Sequence, residues 1–492
     1  METIHLKTVD PVSQALLQSA AARGLDLNWE RYEKLQPQDG FLRAGLSCPF
    51  GCLQGPCRID PFGRGADLGI CGLDRDRMVA ALLLRLCLNG VLEALSDLPG
   101  NDNFRVPAWP GSMAPGAARA LENLGGGELT LNEVYQSAAR LHRPADTAEE
   151  LILCCLRLGM LTIALMDADR TGLPKEDKIF CRVGYGLLAA DNPIIGICGQ
   201  PSTAFLAGLV RAAAADKPGV GLVSLGNWIA VESGYLPIAC TSGEAELLLS
   251  SGRISLLVCG SGIDPSIPAF CQKLEIPVIL APEAPEPPKV VRLAVASHNS
   301  HAKTNFFQDV PPAERTEIIL NAEALQTELK KDSDAGLVLI GGADSLQQSF
   351  GWIATEVAPV LDGAGFRVAS WGDAALWMAK RGLARDENED PVRLLSPQRG
   401  PLDALKAIAA ADAFDCLKGV CYTGLNSCRD LAVALGLAML GARVCIGTPL
   451  PLWGSKKVRD GLASLFEGCG GEFTHFDHPA DASEILQWFR AQ

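Results

Sequence analysis

The residues best suited to chemistry lie in one short stretch near the N-terminus. Gly45-Leu-Ser-Cys-Pro-Phe-Gly-Cys-Leu-Gln-Gly-Pro-Cys-Arg-Ile-Asp-Pro-Phe-Gly, followed by Gly69-Ile-Cys-Gly, sets Cys48, Cys52, Cys57 and Cys71 at spacings x3, x4 and x13. Thiolates this close repel one another unless a cation sits between them, so the cluster points to metal. Three grouped ligands and one remote one suit an iron–sulfur cubane. A structural zinc site favours two CxxC-like pairs and is the rival reading, with a disulfide framework third. Gly51 and Gly55 let the backbone approach sulfide, and Pro56 stiffens the loop.

More thiols stand where an α/β fold gathers ligands, beyond the carboxyl ends of parallel strands. Cys198 and Cys259 each end an apolar run and precede a glycine, Cys421 ends a similar run, and Cys240 opens a turn before a helix. Each has a plainer reading as a small buried residue.

Composition narrows the classes. A chain of 492 residues exceeds one core, and its net charge of −14 with no basic run argues against nucleic acid. No secretion signal is evident, and the apolar stretches 78–95 and 151–166, broken by polar residues, read as shorter than a membrane span. Seventeen cysteines without a signal peptide read as metal ligands and packing residues in a cytoplasmic protein.

The elements that must position these residues follow from periodicity. Residues 9–33 read as one amphipathic helix, and 74–178 carry apolar residues at helical spacing. Strands are expected near 193–198, 219–225, 254–259 and 276–281, then 290–296, 336–341, 367–371, 417–422 and 443–446. Helices such as 204–214 and 245–250 fall between them. The proline-rich stretch 281–289 marks a boundary. The expected fold is multidomain α/β: a helical domain, 1–180, carrying the cysteine loop 48–71, then two Rossmann-like parallel-sheet domains, 181–285 and 286–492.

With those residues in view, the chain resembles the anaerobic nickel–iron–sulfur carbon monoxide dehydrogenases, relatives of the hybrid-cluster (prismane) proteins. The resemblance rests on Arg31-Tyr-Glu, Gln36-Pro-Gln, Gly55-Pro-Cys-Arg-Ile-Asp-Pro-Phe-Gly and Cys71-Gly. It continues through Cys240-Thr-Ser-Gly-Glu, Ser297-His-Asn-Ser-His-Ala-Lys and Pro451-Leu-Trp-Gly-Ser-Lys-Lys. It implies that Cys48, Cys52, Cys57 and Cys71 hold a [4Fe–4S] cluster that relays electrons. It also implies a homodimer and a ferredoxin-type redox partner. Asp39 and Ser47 stand where the family places the cysteines of a cluster shared across the dimer, so that cluster is expected to be missing.

The family's catalytic nickel–iron–sulfur centre uses one histidine and five cysteines. By resemblance Cys240 matches one of them. Cys198 or Gln200 falls at the histidine's stretch, Cys259 lies near the place of another cysteine at Gly262, and Asp373 replaces a third. Ile340-Gly-Gly-Ala-Asp has lost its thiol, and Cys421 or Cys428 matches the last only loosely. The proton-relaying histidines are absent around 92–98, while Lys457 matches the lysine assigned to polarise bound CO2. A carboxylate does not replace a thiolate at equal potential, so this second iron–sulfur, nickel–iron–sulfur or hybrid cluster is expected to be rebuilt. The expected activity is an oxygen-sensitive oxidoreductase acting on a small molecule, with CO + H2O to CO2, two protons and two electrons as the leading reaction. The alternatives are a hybrid-cluster-like reductase of a small nitrogen or oxygen species, and a non-enzymatic electron-transfer or assembly subunit with the N-terminal cluster alone. Plainer roles remain for Asp373 (a helix cap), Glu244 (a capping box with Thr241), and His298 and His301 (solvated or hydrogen-bonded).

Overall fold

Short runs of Val, Ile and Leu that are apolar on both faces pair best as parallel strands, and longer apolar stretches at helical period pack as helices. Both occur in the computed structural model, which describes residues 7–35, 40–96, 98, 105–109, 113–142, 146–168, 178–216, 219–232, 234–281, 285–298, 307, 310–319, 322–331, 336–384, 392–395, 400–410, 416–425, 427–476 and 480–491. The chain forms two units, each discontinuous in sequence. Unit 1 comprises Met1–Gln36, Gly172–Ala324 and Ala343–Gln398, and unit 2 comprises Pro37–Thr171, Leu325–Gly342 and Arg399–Gln492. Contacts therefore divide the chain differently from the consecutive segments 1–180, 181–285 and 286–492.

The sheet of unit 1 runs, among the described residues, Arg367–Ser370, Val392–Leu395, Glu314–Ile319, Lys178–Val183, Ile238–Cys240, Gly221–Leu225, Ile194–Cys198, Leu256–Cys259 and Val278–Leu280. Neighbours are parallel except Lys178–Val183 against Glu314–Ile319. Ile194–Cys198 and Leu256–Cys259 are buried throughout, as strands covered on both faces must be. Helices Thr203–Ala215 and Pro287–Ser297 supply Leu209, Val290 and Ala294 to the core over Ile195, Ile197 and Val258. The N-terminal helices Pro11–Ala22 and Asn28–Leu35 belong to this unit. Asn28 Nδ2 donates to the Gly243 carbonyl at 2.9 Å, Arg31 pairs with buried Glu246, and Trp29 packs on Phe350 with ring centroids 4.1 Å apart.

Unit 2 holds the parallel strands Glu472–His475, Arg443–Ile446, Leu417–Tyr422 and Leu337–Gly341, in that order. Beside them the helices Arg75–Ser96, Ala148–Ala168 and Cys428–Met439 pack on one another. Their backbones touch at glycines. A Cβ on Gly159 would lie 2.7 Å from the Ala432 carbonyl oxygen, one on Gly436 2.7 Å from that of Gly159, and one on Gly90 2.4 Å from that of Cys428. Only glycine permits such an approach.

Several sequence expectations need correction. The helix expected over 9–33 is two helices, because Gly24 turns the chain at φ +66°. The strand expected at 290–296 lies within the helix Pro287–Ser297. Val290, Val291 and Ala294 are buried at helical spacing while Leu293 and Val295 are exposed, and prolines occupy the first turn, where no amide donor is needed. The stretches read as too short for a membrane form helices of 22 and 21 residues, long and apolar enough by composition to cross one, although most of each is buried in unit 2. The strands Lys178–Val183, Ile238–Cys240, Glu314–Ile319, Val392–Leu395 and Glu472–His475 were not anticipated, since they are short or carry charged residues.

The glycine contacts give a direct test. Gly159→Leu forces two helix backbones apart and is expected to cost about 1–3 kcal/mol. The melting temperature should fall, while Gly363→Ala, whose added Cβ meets nothing within 4 Å, should leave it nearly unchanged.

Candidate functional site: a thiol loop and a buried ionic centre

The thiol loop is in unit 2 and is shaped by its own backbone. The Cys48 amide donates to the Cys57 carbonyl at 2.9 Å and the Ile59 amide to the Leu46 carbonyl at 3.0 Å, around a Ser47–Arg58 bridge. This brings the first and third cysteines to one short ladder. Gly51 and Gly72 turn the chain at φ +62° and +84°. Arg75 donates to the Asp60 carbonyl at 3.1 Å and Arg85 to that of Pro49, tying the loop to the helix Arg75–Ser96. Main-chain amides already point at sulfur: Gln54 N lies 3.3 Å from Cys52 Sγ, and Ile70 N lies 3.4 Å from Cys57 Sγ. Burial, then the nearby Cys57 and Cys71, hold the Cys48 thiol above its ordinary pKa. Cys52 and Cys71 are exposed.

Among the described residues, no three His, Cys, Asp or Glu side chains converge closely enough to grip one metal ion. A cubane spreads its ligands over four iron corners, and the donor set fits one: four thiols on one loop, with amides aimed at two of the sulfurs. None of the seventeen cysteines forms a disulfide. Ser47 is engaged in the loop's ladder, and Asp39 lies outside the described residues.

Unit 1 contains a different centre, made of ionic groups with almost no exposed surface. The strand Ile238–Cys240 ends in a turn leading to the helix Ala245–Ser250. The turn needs Gly243, where a Cβ would lie 2.5 Å from the Phe350 ring. Glu244 has no exposed surface. Its carboxylate accepts from Lys380 Nζ at 2.9 and 2.7 Å, from the Tyr185 hydroxyl at 3.2 Å, from the Thr241 amide at 3.1 Å, and from the hydroxyls of Ser13 and Thr241. Lys380 ends the helix Gly372–Lys380, and its ammonium lies 4.4 Å from the Tyr185 ring centroid and 4.2 Å from that of Trp377. Burial would lower the pKa of Lys380, but Glu244, Asp10 and Cys240 outweigh it and hold the pKa above its ordinary value.

Two further carboxyls complete the centre. Asp344 accepts from Trp377 Nε1 at 2.7 Å and contacts the Thr241 hydroxyl, whose one proton serves either Asp344 or Glu244. Asp373 accepts from the Ser242 amide at 3.2 Å, from the Ser242 hydroxyl, and from the Asp344 amide at 3.1 Å. Asp373 is thus not a helix cap: its helix begins at Gly372 with Trp371 as the capping position. Glu244 makes part of the expected capping arrangement, accepting from the Thr241 amide while its main bonds go to Lys380.

The remaining candidates fall as follows. Cys198 and Cys259 are register partners on adjacent strands, pushed up to about 11 and about 12, by burial first in each case. Cys240 is fully buried, and burial and then Glu244 hold its thiol well above the usual range. Cys421 and Cys428 belong to unit 2. Cys421 is a buried register partner of Cys445, and half-buried Cys428 opens the helix Cys428–Met439 behind its cap Ser427. Lys457, also in unit 2, is largely exposed, pairs with Glu149 at 2.7 Å, and lines a cavity of ≈ 700 Å³ with Arg75, Asp76, Lys456 and Asp460. His298 contacts the Ser255 hydroxyl at 3.2 Å and Asp191 at 3.4 Å, in line with its hydrogen-bonded reading, and His301 lies outside the described residues.

A nickel–iron–sulfur cluster requires several ionised soft thiolates. Unit 1 presents five buried thiols, Cys181, Cys198, Cys240, Cys259 and Cys271, among whose described surroundings no three ligating side chains converge, and the carboxyls of Glu244, Asp344 and Asp373 are already bonded to lysine, hydroxyl, indole and amide donors. These residues do not fit that cluster. Sequence reasoning missed Lys380, Asp344, Tyr185, Trp377 and Ser13. The available signal was a helix buried at every residue from 373 to 379 that ends in lysine.

Burial, then Asp373, holds Asp344 well above the ordinary 3.8. A carboxyl whose pKa is raised by folding contributes stability that is full below its unfolded value and is lost as pH rises through the folded one. Asp344→Asn is therefore expected to flatten the decline of melting temperature from about pH 4 upward. A variant that keeps the parent's slope would assign that decline to other groups.

No family model matches the chain. It is 47% identical over 89 residues, 18% of its length, to carbon monoxide dehydrogenase 1 of Methanosarcina mazei. It is 51% identical over 81 residues to a carbon monoxide dehydrogenase of Rhodospirillum rubrum. The matches span 14% and 12% of those two relatives. In fold it is similar to carbon monoxide dehydrogenase IV from Carboxydothermus hydrogenoformans, with a TM-score of 0.78 and 19% identity over 98% of both chains. The chain thus shares the fold of that dehydrogenase along nearly its whole length, and its sequence similarity to carbon monoxide dehydrogenases is confined to 18% of the chain.

Proposed function

We propose that the protein is an iron–sulfur oxidoreductase in which Cys48, Cys52, Cys57 and Cys71 hold a [4Fe–4S] cluster that serves as its electron port. The observation that carries this reading is the thiol loop itself, with amides of Gln54 and Ile70 directed at Cys52 and Cys57. When bound, such a cluster supplies one-electron transfer at a potential set by hydrogen bonds to sulfur and by exposure. The amides favour the thiolate state, and the glycines keep bulk away from sulfur. Cys52 and Cys71 lie at the surface, beside exposed Leu53 and Ile70, where a ferredoxin-type protein could exchange electrons. Homodimerisation and a cytoplasmic setting follow from the family resemblance and the thiol-rich composition, and belong to the same proposal.

The relatives' name makes carbon monoxide oxidation with water the first reaction to assay, and reduction of a small nitrogen or oxygen species the second. One observation favours a reading with the N-terminal cluster as the sole metal centre: the carboxyls of Glu244, Asp344 and Asp373 are bonded by donors of the protein itself.

Anaerobic purification with iron quantification and electron paramagnetic resonance tests the electron port. About four iron per chain and one reducible cubane signal are expected. Cys57→Ser should lose most of that iron and signal. Iron retained in full by this variant would remove the loop from the reading.

A further inference from the structure

We propose that Lys380 is a built-in cation that takes the place of a metal centre in unit 1, so that this unit binds no cluster. The inference goes beyond the electron port, which concerns another unit and a separate set of residues. Three observations carry it.

The first is the location. By the family resemblance, Cys240 and Asp373 stand at ligand positions and Ile340-Gly-Gly-Ala-Asp is a strand end without its thiol. Asp344, from that same strand end, and Asp373 now bond to the turn that follows Cys240. The second is saturation. Two of the three ammonium N–H groups are taken up by the two oxygens of Glu244, and the face toward Tyr185 and Trp377 is covered by aromatic rings. Glu244 is bonded by Ser13, Tyr185 and the Thr241 amide, Asp344 by Trp377, and Asp373 by Ser242 and the Asp344 amide, while the one proton of the Thr241 hydroxyl serves either Glu244 or Asp344. A metal ion would have to break these bonds to reach any of the three carboxyls. The third is burial: Glu244 has 0% and Lys380 4% side-chain exposure, so neither charge tolerates loss of the other. Carboxylate and aromatic walls around one positive charge form a receptor for an alkylammonium ion, filled here by a side chain of the same chain.

Two experiments on the full chain decide the matter. In the first, Lys380→Ala opens the ammonium position. Its melting temperature should fall by about 10 °C. Added n-propylammonium should restore at least half of that fall, with sodium and potassium at equal ionic strength ineffective and the parent unmoved by any of them. If the variant is not recovered folded, refolding with and without the amine reads the same rescue as yield. An unaltered melting temperature, or no rescue by the amine in either format, overturns the cation role. In the second, anaerobically isolated parent and Cys240→Ala are compared for iron and nickel. Equal iron and no nickel in both are expected. Nickel in the parent, or iron lost with Cys240, overturns the metal-free centre. Loss of iron with Cys57 alone bears on the thiol loop and leaves this inference standing.

Discussion

A carboxylate without exposed surface must be given a counter-charge and a full set of donors, and in unit 1 that requirement falls on Glu244. Removing such a charge from water costs several kcal/mol, which only short, well-directed contacts offset. The partners come from elements far apart in sequence: Ser13 on the first helix, Tyr185 in the turn after Lys178–Val183, Thr241 beside Cys240, and Lys380 at the end of a wholly buried helix. Each is placed by its own apolar packing, and all must be placed at once. The centre therefore fixes the mutual positions of the N-terminal helix, the Tyr185 turn, the Thr241–Gly243 turn and the helix Gly372–Lys380. A pair of this kind need not add net stability over an apolar substitute, but it enforces a single arrangement of the segments that supply it.

The thiol loop obeys a different constraint. Its shape comes from local backbone bonds, the positive-φ glycines Gly51, Gly63 and Gly72, and arginines that reach back from the following helix, and two of its cysteines remain exposed. Local order of that kind can present sulfur to a cluster without a closed core around it. Beside it, the helices of unit 2 are held at the separation that glycine-to-backbone contact allows. The same chain thus contains one site shaped by sequence neighbours and one assembled from distant segments.

That difference decides what could be read in advance. The strands Leu417–Tyr422 and Arg443–Ile446 and the helix Ala245–Ser250 were visible because apolar period and flanking glycines are local signals. Glu314–Ile319 and Lys178–Val183 were not, since alternating charges hide a strand whose burial depends on an antiparallel partner more than a hundred residues away. Residues 290–296 misled because an apolar run this short fits either period until its neighbours select which side chains are covered.

By itself the sequence determined the thiol loop and the α/β character, because four cysteines at fixed spacing and short apolar runs keep their meaning wherever the chain goes. It also named Cys240, Glu244 and Asp373 as residues of interest. Only the tertiary structure decided what Glu244 and Asp373 do. The charge of Lys380 and the hydrogen bonds of Ser242 meet those carboxyls through space, and the local sequence holds no record of which partner a buried charge will find.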